Sequence, residues 1–394
     1  MRRFGTVGVA GVLLVGLTGC SSGSITFEGS FKPTTHAAAT SSAGSGLTPS
    51  VRRALPKIEA FVEHERGLKF KHPVKVKLLG PKAFVKLLDK DNKPPSRSSI
   101  NKQESVFASL GLVSPGVDLY KAFKAASDES TIGFYKFTNK RLYVKGKRAT
   151  PGVRAVMSHE LTHALTDQRF GLRRPELSKD NQERQAAFTA LSEGDAERTR
   201  MAYESQVLTP AQRQIAEQQE AGAGGAPPGV PQVVLELIGF PYEIGPRFVD
   251  ELVADGGINA LNRAYRHPPV SSEQLLNPRA YLDHDKPKHV AAPPADHRRL
   301  NHGDLGVIGL LLMFEHGGVP SSTAFSALRS WGGDQFASWQ AGKRRWCLRD
   351  TVVMDDASAM GAFRSALSQW ISRRGGKAKI EKTAENKTTF VTCS

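Results

Sequence analysis

The segment His159-Glu160-Leu161-Thr162-His163 constrains this chain of 394 residues more than any other feature. In an α-helix, residues four positions apart lie on the same face, so the two imidazoles can bind one metal ion. Glu160 lies about 100° around the helix from His159, where it can act on a water molecule without binding the ion itself. The segment therefore predicts a helix with a catalytic metal site. The alternative is a buried, hydrogen-bonded histidine pair on an ordinary helix.

A third metal ligand is expected downstream, on a second helix predicted at 180–203. Glu193 stands on that helix, far enough from His163 for a loop and an antiparallel helix to return to the metal. Two histidines and one glutamate leave one coordination position to water, which is typical of catalytic zinc sites. A metzincin would need Gly at position 166 and His at position 169. The chain has Thr166 and Arg169, which excludes that class.

The predicted secondary structure places strands before helices. Two β-prone runs predict a hairpin just before the metal-binding helix, which begins at Pro151. A polar loop is predicted over 89–99. The predicted strands are 74–79, 132–137 and 141–144, and the other helices are 48–66, 82–88, 245–255, 304–316, 321–330 and 357–372. This order predicts an α+β fold with a small N-terminal β-sheet and a mainly helical C-terminal subdomain.

The same features divide the chain into successive segments. Low-complexity composition at 219–232 predicts a loop, either a lid or a tolerated insertion. The segments are a leader (1–19), a flexible tether (20–47), an N-terminal α/β subdomain with the His-Glu helix (48–175), a mainly helical subdomain with Glu193 (176–373) and a C-terminal hairpin (374–394).

The N-terminus has the pattern of a secretory leader. Arg2 and Arg3 precede an uncharged apolar stretch that is too short to span a bilayer comfortably. Leu17-Thr18-Gly19-Cys20 resembles the lipobox of bacterial lipoproteins, in which the cysteine receives acyl chains such as palmitate. A plain signal peptide with an incidental cysteine is the alternative. We therefore expect an extracytoplasmic protein that Cys20 anchors to the membrane by lipid.

The expected location limits the partners of this basic chain. Its formal charge is +16, but nucleic acid is not an expected partner outside the membrane, whereas anionic headgroups or wall polymers are. With Cys20 assigned to lipid, Cys347 and Cys393 remain as a pair in an oxidising compartment. We expect them to form a disulfide, with two free buried thiols as the alternative.

The stretch 156–167 resembles the active-site helix of thermolysin-type gluzincins. The wider chain is similar to a group of bacterial extracytoplasmic lipoproteins that resemble zinc peptidases, over most of residues 50–360. The segments that carry this similarity, besides the helix itself, are 133–135, 167–170, 190–196, 240–242, 245–249, 268–274 and 331–334.

The resemblance implies a zincin-like fold and one Zn²⁺ held by His159, His163 and Glu193. Glu160 would be the general base that hydrolyses peptide bonds of an envelope protein or peptide substrate. The resemblance also implies carboxylates that hold the ligating imidazoles from behind. The candidates for that role are Asp167, Asp195 and Glu197.

Gluzincins commonly use a downstream Tyr or His to stabilise the oxyanion. The candidates for this role are Tyr242, Tyr265, His267 and Tyr281. Asn277 stands where the similar proteins often have His. Because Asn can donate a hydrogen bond but cannot carry a proton, it favours the alternative that the protein is a catalytically weak or inactive module for binding or scaffolding. Hydrolysis of cell-wall amide bonds is a third possibility.

A histidine-rich loop follows, with acidic residues between its histidines. Its irregular spacing and its prolines favour a solvated loop over a second metal site or a pH sensor. The histidines are His284, His289, His297 and His302.

Overall fold

The computed structural model describes residues 46–91, 97–128, 132–174, 177, 182–221 and 228–394. The predicted leader, Cys20 and residues 20–45 of the tether lie outside the described residues, as do residues 222–227 of the predicted lid or loop. Within the described ranges, no helix has both the length and the hydrophobicity that a membrane span requires.

The described chain is a mixed α+β structure. Its helices are α1 (Pro49–Arg66), α2 (Pro81–Asp91), α3 (Arg97–Leu110), α4 (Leu119–Asp128), α5 (Pro151–Phe170), α6 (Gln182–Val207), α7 (Pro210–Ala221), α8 (Gln232–Arg266), α9 (Ser272–Leu276), α10 (Pro278–Leu282), α11 (Gly306–His316), α12 (Ser321–Leu328) and α13 (Ala357–Ser372). Its strands are β1 (Lys75–Leu79), β2 (Gly133–Lys136), β3 (Arg141–Lys145), β4 (Arg299–Gly303), β5 (Trp331–Gly342), β6 (Arg345–Met354), β7 (Ala378–Ala384) and β8 (Lys387–Cys393).

A three-stranded sheet supports the His-Glu helix. Its strand order is β1-β3-β2, with β1 parallel and β2 antiparallel to β3, so the predicted hairpin is confirmed. Helix α5 begins with Pro151 after the cap Thr150, whose side chain accepts a hydrogen bond from the Val153 N–H. Apolar residues of α1, α5 and the sheet form one buried cluster that fixes α5 in place.

The C-terminal half contains a second sheet that the predicted order of elements missed. Strands β4-β5-β6-β8-β7 form an antiparallel sheet. The predicted mainly helical subdomain over 176–373 therefore also contains β4, β5 and β6, which were not predicted, whereas its predicted helices 304–316 and 321–330 are present as α11 and α12. The predicted hairpin at the C-terminus is confirmed as β7 and β8. Strands β5 and β6 are buried over most of their length and show little polar–apolar alternation, the signal on which strand prediction relies.

Several predicted boundaries also need correction. The predicted polar loop 89–99 overlaps the ends of two helices, α2 and α3, and α4 was not predicted at all. The predicted helix 245–255 is part of the longer α8, which is interrupted by non-helical backbone at Gly256 and Gly257. Helix α3 packs on the second sheet, where Thr392 Oγ1 donates to Ser109 O at 2.9 Å. Residues of the predicted N-terminal segment 48–175 therefore contribute to the C-terminal core.

Cys347 and Cys393 form a disulfide, as predicted. They occupy paired positions of neighbouring strands β6 and β8. The bond therefore ties the last strand of the chain to the centre of the second sheet.

Two glycines bring α6 and α8 into backbone contact. A Cβ built on Gly245 would lie 2.2 Å from Ala190 O, and one built on Gly194 would lie 2.2 Å from the Gly245 carbonyl carbon. Because no real Cβ approaches backbone atoms so closely, only glycine fits at both positions. This contact sets the spacing between the helix that carries Glu193 and the helix that carries Tyr242.

Replacing Gly245 with Ala is therefore expected to force α6 and α8 apart and to lower the free energy of unfolding by about 1–3 kcal/mol. Urea unfolding measures the change. Gly361→Ala is the matched control, since a Cβ at this helical position meets nothing within 4 Å and Ala favours a helix. Equal stability of Gly245→Ala and wild type would contradict the close contact.

Asp350 is a fully buried carboxyl in the second sheet, between Phe336 and Phe390 of the neighbouring strands. Burial, with a contribution from Asp304, raises its pKa from 3.8 to about 8. Since the folded-state pKa is above the unfolded value, the contribution of Asp350 to stability is fully present below about pH 4 and is lost as pH rises through about 8.

The substitution Asp350→Asn should flatten this pH dependence. We expect the wild type to lose on the order of 1–3 kcal/mol more than the variant between about pH 5 and pH 8.5. Urea unfolding of both proteins at both pH values, with zinc present throughout, measures the difference. Identical losses in the two proteins would show that Asp350 does not titrate in this range.

Candidate metal centre

Three predicted ligand residues meet at one point between α5 and α6. His159 Nε2 lies 3.1 Å from His163 Nε2, and both nitrogens lie 3.2 Å from Glu193 Oε2. All three side chains are buried. Zinc bound at about 2.0–2.1 Å in tetrahedral geometry separates its ligand atoms by about 3.3 Å, which this triangle matches.

The other ring nitrogens have partners of their own. His159 Nδ1 lies 3.5 Å from Glu197 Oε2, and His163 Nδ1 lies 3.3 Å from Ser192 Oγ. Hydrogen bonds at Nδ1 leave the Nε2 lone pairs directed at the shared point, which is the arrangement that metal-ligating histidines use. The donor set of two imidazoles and one carboxylate therefore fits Zn²⁺.

The electrostatics of the triangle also favour a cation. Although burial opposes ionisation, His163 and His159 hold the pKa of Glu193 at about 2. Burial likewise opposes charge on His159, but hydrogen bonds with Glu193 and Glu197 raise its pKa to about 10. The surrounding carboxylates thus stabilise positive charge at this point.

Glu160 lies beside the triangle, but its hydrogen bond is with the backbone of strand β2 and not with the three candidate ligands. Its Oε2 accepts a hydrogen bond of 2.7 Å from the Tyr135 backbone N–H, at the edge strand β2. Burial is the main cause that raises the pKa of Glu160. A carboxylate with a raised pKa next to a group of candidate metal ligands is suited to accept and return a proton.

Of the predicted oxyanion donors, Tyr242 is the one that contacts the triad within the described part of the chain. Its ring stacks on His159 with a centroid distance of 6.1 Å, and its hydroxyl is hydrogen-bonded to Glu193. The prediction for Tyr265 was wrong, because this buried hydroxyl donates to Asp195 at 2.7 Å. His267 is exposed at the end of α8, and its carbonyl accepts a hydrogen bond from the Tyr281 hydroxyl.

Among the three predicted supporting carboxylates, Glu197 is the one that faces a ring nitrogen in the described structure. The predictions for Asp167 and Asp195 were wrong, because both acids hold elements of the fold together. Asp167 accepts hydrogen bonds from the Tyr135 hydroxyl at 3.0 Å and from the Lys140 ammonium at 2.5 Å. Although Asp167 lies one helical turn after His163, its side chain thus binds the β2–β3 hairpin and not the imidazole.

Asp195 forms a buried ion pair with Arg66, at 2.8 Å between Nε and Oδ1. Together with the hydrogen bond from Tyr265, this pair ties α6 to α1 and α8. The side chain of Asn277 donates to Arg329 O at 3.3 Å, and its described hydrogen bonds do not include the triad.

Sequence reasoning missed two contacts of the site. The Ser192 hydroxyl is hydrogen-bonded to His163 Nδ1. Its position directly before Glu193 in the sequence is the signal that could have identified this contact. The backbone N–H of Tyr135 binds Glu160 and carries no sequence signal.

Arg200 extends the support behind His159. It binds both Glu197 oxygens, at 2.9 and 2.5 Å, and a second pair joins it to Glu204 at 2.5 Å. Although burial opposes ionisation, Arg200 and His159 hold the pKa of Glu197 at about 2. A permanently charged carboxylate thus faces His159 Nδ1.

The substitution Glu197→Gln should weaken zinc binding by about 10–100-fold, because an amide orients and polarises His159 less well. Competition with a chromophoric zinc chelator measures the affinity. Glu217→Gln, on the nearby helix α7, is the control, and we expect it to leave the affinity unchanged. An unchanged affinity in Glu197→Gln would contradict the supporting role of this residue.

Comparison of the chain with protein-family models, curated proteins and solved structures gives no match.

Proposed function

We propose that this protein is a zincin-like, gluzincin-type zinc peptidase, anchored by lipid outside the cytoplasmic membrane. The observation that carries the proposal is the position of Glu160 beside the His159–His163–Glu193 triangle. A structural zinc site does not need a separate buried carboxylate at this position. The leader and Cys20 support the proposed location by their sequence pattern alone.

The side chains divide the proposed chemistry among them. A bound Zn²⁺ would act as a Lewis acid toward the scissile carbonyl and increase the acidity of water at the open coordination position. Glu160 accepts the proton of the attacking water and returns it to the leaving amine nitrogen. The Tyr242 hydroxyl, which is hydrogen-bonded to Glu193 in the structure, would turn to donate its hydrogen bond to the oxyanion.

The edge strand β2 offers a binding surface for an extended peptide. It ends the order β1-β3-β2 of its sheet, and its Tyr135 N–H already points at Glu160. An extended substrate that adds to this edge would hydrogen-bond with the strand and bring a peptide bond to the triad. This geometry favours a polypeptide substrate over a small molecule.

The proposal is tested with the purified protein loaded with one equivalent of zinc. We expect it to cleave members of an unbiased peptide library, detected by mass spectrometry, and to lose this activity on chelation and regain it with zinc. Bound zinc without cleavage of any peptide would overturn the peptidase proposal. Wall fragments containing amide bonds, assayed in parallel, would then distinguish an amidase from a binding or scaffold module.

A further inference from the structure

A second group of acidic side chains lies outside the His159–His163–Glu193 triangle. Glu273 on α9, Asp285 after α10 and Asp355 between β6 and α13 each place a carboxylate oxygen within 4.8 Å of the others. The three residues come from three separate segments of the chain, so the fold has to hold their negative charges together. Such an arrangement is costly unless a positive charge compensates it.

Glu273 is the member that demands a partner. The residue is buried, with a relative exposure of 3%, and its Oε1 has no hydrogen-bond partner among the described residues. Burial, followed by Asp355 and Asp285, raises the pKa of Glu273 to about 9. An unpaired oxygen on a buried carboxyl group that lies next to two further carboxyl groups is the expected state of a ligand for a cation.

Lys288 compensates part of the charge. Its ammonium lies 2.8 Å from Asp355 Oδ1, and 3.3–3.4 Å from the carbonyl oxygens of Asp355 and Met354. The Lys288 side chain is 42% exposed, so it can turn outward into solvent. One ammonium faces three acidic side chains, and the hydrogen bonds of Lys288 do not include Glu273 Oε1 in the described structure.

We propose that Glu273, Asp285 and Asp355 bind a Ca²⁺ ion. The donors are oxygen atoms only, without histidine or cysteine, which favours a hard cation over zinc. Backbone carbonyls at Met354 and Asp355 add oxygens of the kind that complete irregular calcium sites. The ion joins the α9–α10 region to the junction of β6 and α13, so its role is to stabilise the fold.

The loop that carries Asp285 is already held in place for this role. Asp285 O accepts a hydrogen bond from the Gln274 side chain on α9, and the Lys288 N–H donates to Gly332 O at 2.6 Å. Preorganisation of the loop reduces the entropy lost when the ion binds.

The test uses the full protein with its zinc site saturated, so that added calcium reports on the second site alone. We expect calorimetric titration to give one Ca²⁺ per chain, and millimolar CaCl₂ to raise Tm by about 2–5 °C. Glu273→Gln and Asp355→Asn should both lose the binding and the shift. The control Asp283→Asn changes an exposed acid of the same region that pairs with Arg279, and it should keep both.

The proposal is overturned if the wild type binds no calcium, or if Glu273→Gln shows the same shift as the wild type. Loss in both variants and retention in the control support it. If Glu273→Gln fails to fold, Asp355→Asn alone tests the proposal. The Asp355 side chain is part-exposed, so this variant is expected to fold. Zinc content and peptide cleavage, measured on the same samples, separate failure of this site from failure of the proposed peptidase.

Discussion

The substitution Glu160→Gln is expected to lower peptide hydrolysis by about 10²–10⁴-fold while one zinc ion stays bound. Gln keeps the size of the side chain and can still contact the Tyr135 N–H, which Glu160 Oε2 binds at 2.7 Å. It cannot accept the proton of the attacking water. Because the proposed zinc ligands are His159, His163 and Glu193, zinc binding should be preserved.

Zinc content by mass spectrometry and kcat/KM on a cleaved library peptide are measured on the same preparation. Glu63→Gln, a half-buried acid that pairs with the exposed Lys69, is the control and should keep both properties. Activity of Glu160→Gln within tenfold of the wild type would remove Glu160 from the mechanism. Loss of zinc in this variant would instead make Glu160 a metal ligand.

The substitution Asp195→Asn is expected to cost about 3–5 kcal/mol of unfolding free energy. Asp195 and Arg66 are both completely buried, so the variant leaves the guanidinium without its counter-charge. It also weakens the hydrogen bond that Tyr265 donates. Urea unfolding measures the loss, and residual folded protein should bind zinc with wild-type affinity.

Asp250→Asn provides a matched control for that measurement. Asp250 pairs with Arg198 at 2.9 Å, but its side chain is 65% exposed, so we expect a change of about 0–1 kcal/mol. A loss below about 1 kcal/mol in Asp195→Asn would contradict the structural role. Weakened zinc binding with unchanged stability would return Asp195 to the support of the imidazoles, as the sequence had suggested.

The ligand triad was predictable from sequence because its signal is local. The four-residue spacing of His159 and His163 fixes both rings on one face of a helix, and a glutamate on the next helix is within reach. The structure brings Glu193 to 3.2 Å from both rings.

The supporting residues were less predictable because helical spacing does not determine the direction of a side chain. Asp167 and Asp195 have suitable spacing, yet stronger partners from other segments attract them, namely Lys140 and Arg66. Those partners are distant in sequence or lie on other elements. The position of Glu197 depends on the same kind of long-range contact.

The second sheet was missed for a related reason. Strand β5 contains Gly332, Gly333 and Asp334, which are poor strand formers when judged locally. Asp334 is nevertheless buried because it accepts hydrogen bonds from the Leu305 and Gly306 N–H groups, near the start of α11. Tertiary packing thus stabilises a strand that its own composition disfavours.

Crystal diffraction from the zinc-loaded protein, recorded above and below the zinc absorption edge, tests the central claim most directly. We expect one anomalous peak at bonding distance from His159 Nε2, His163 Nε2 and a Glu193 carboxylate oxygen, with Glu160 outside the ligand set. A peak held by other residues, or a triad with no peak at saturating zinc, would contradict the account.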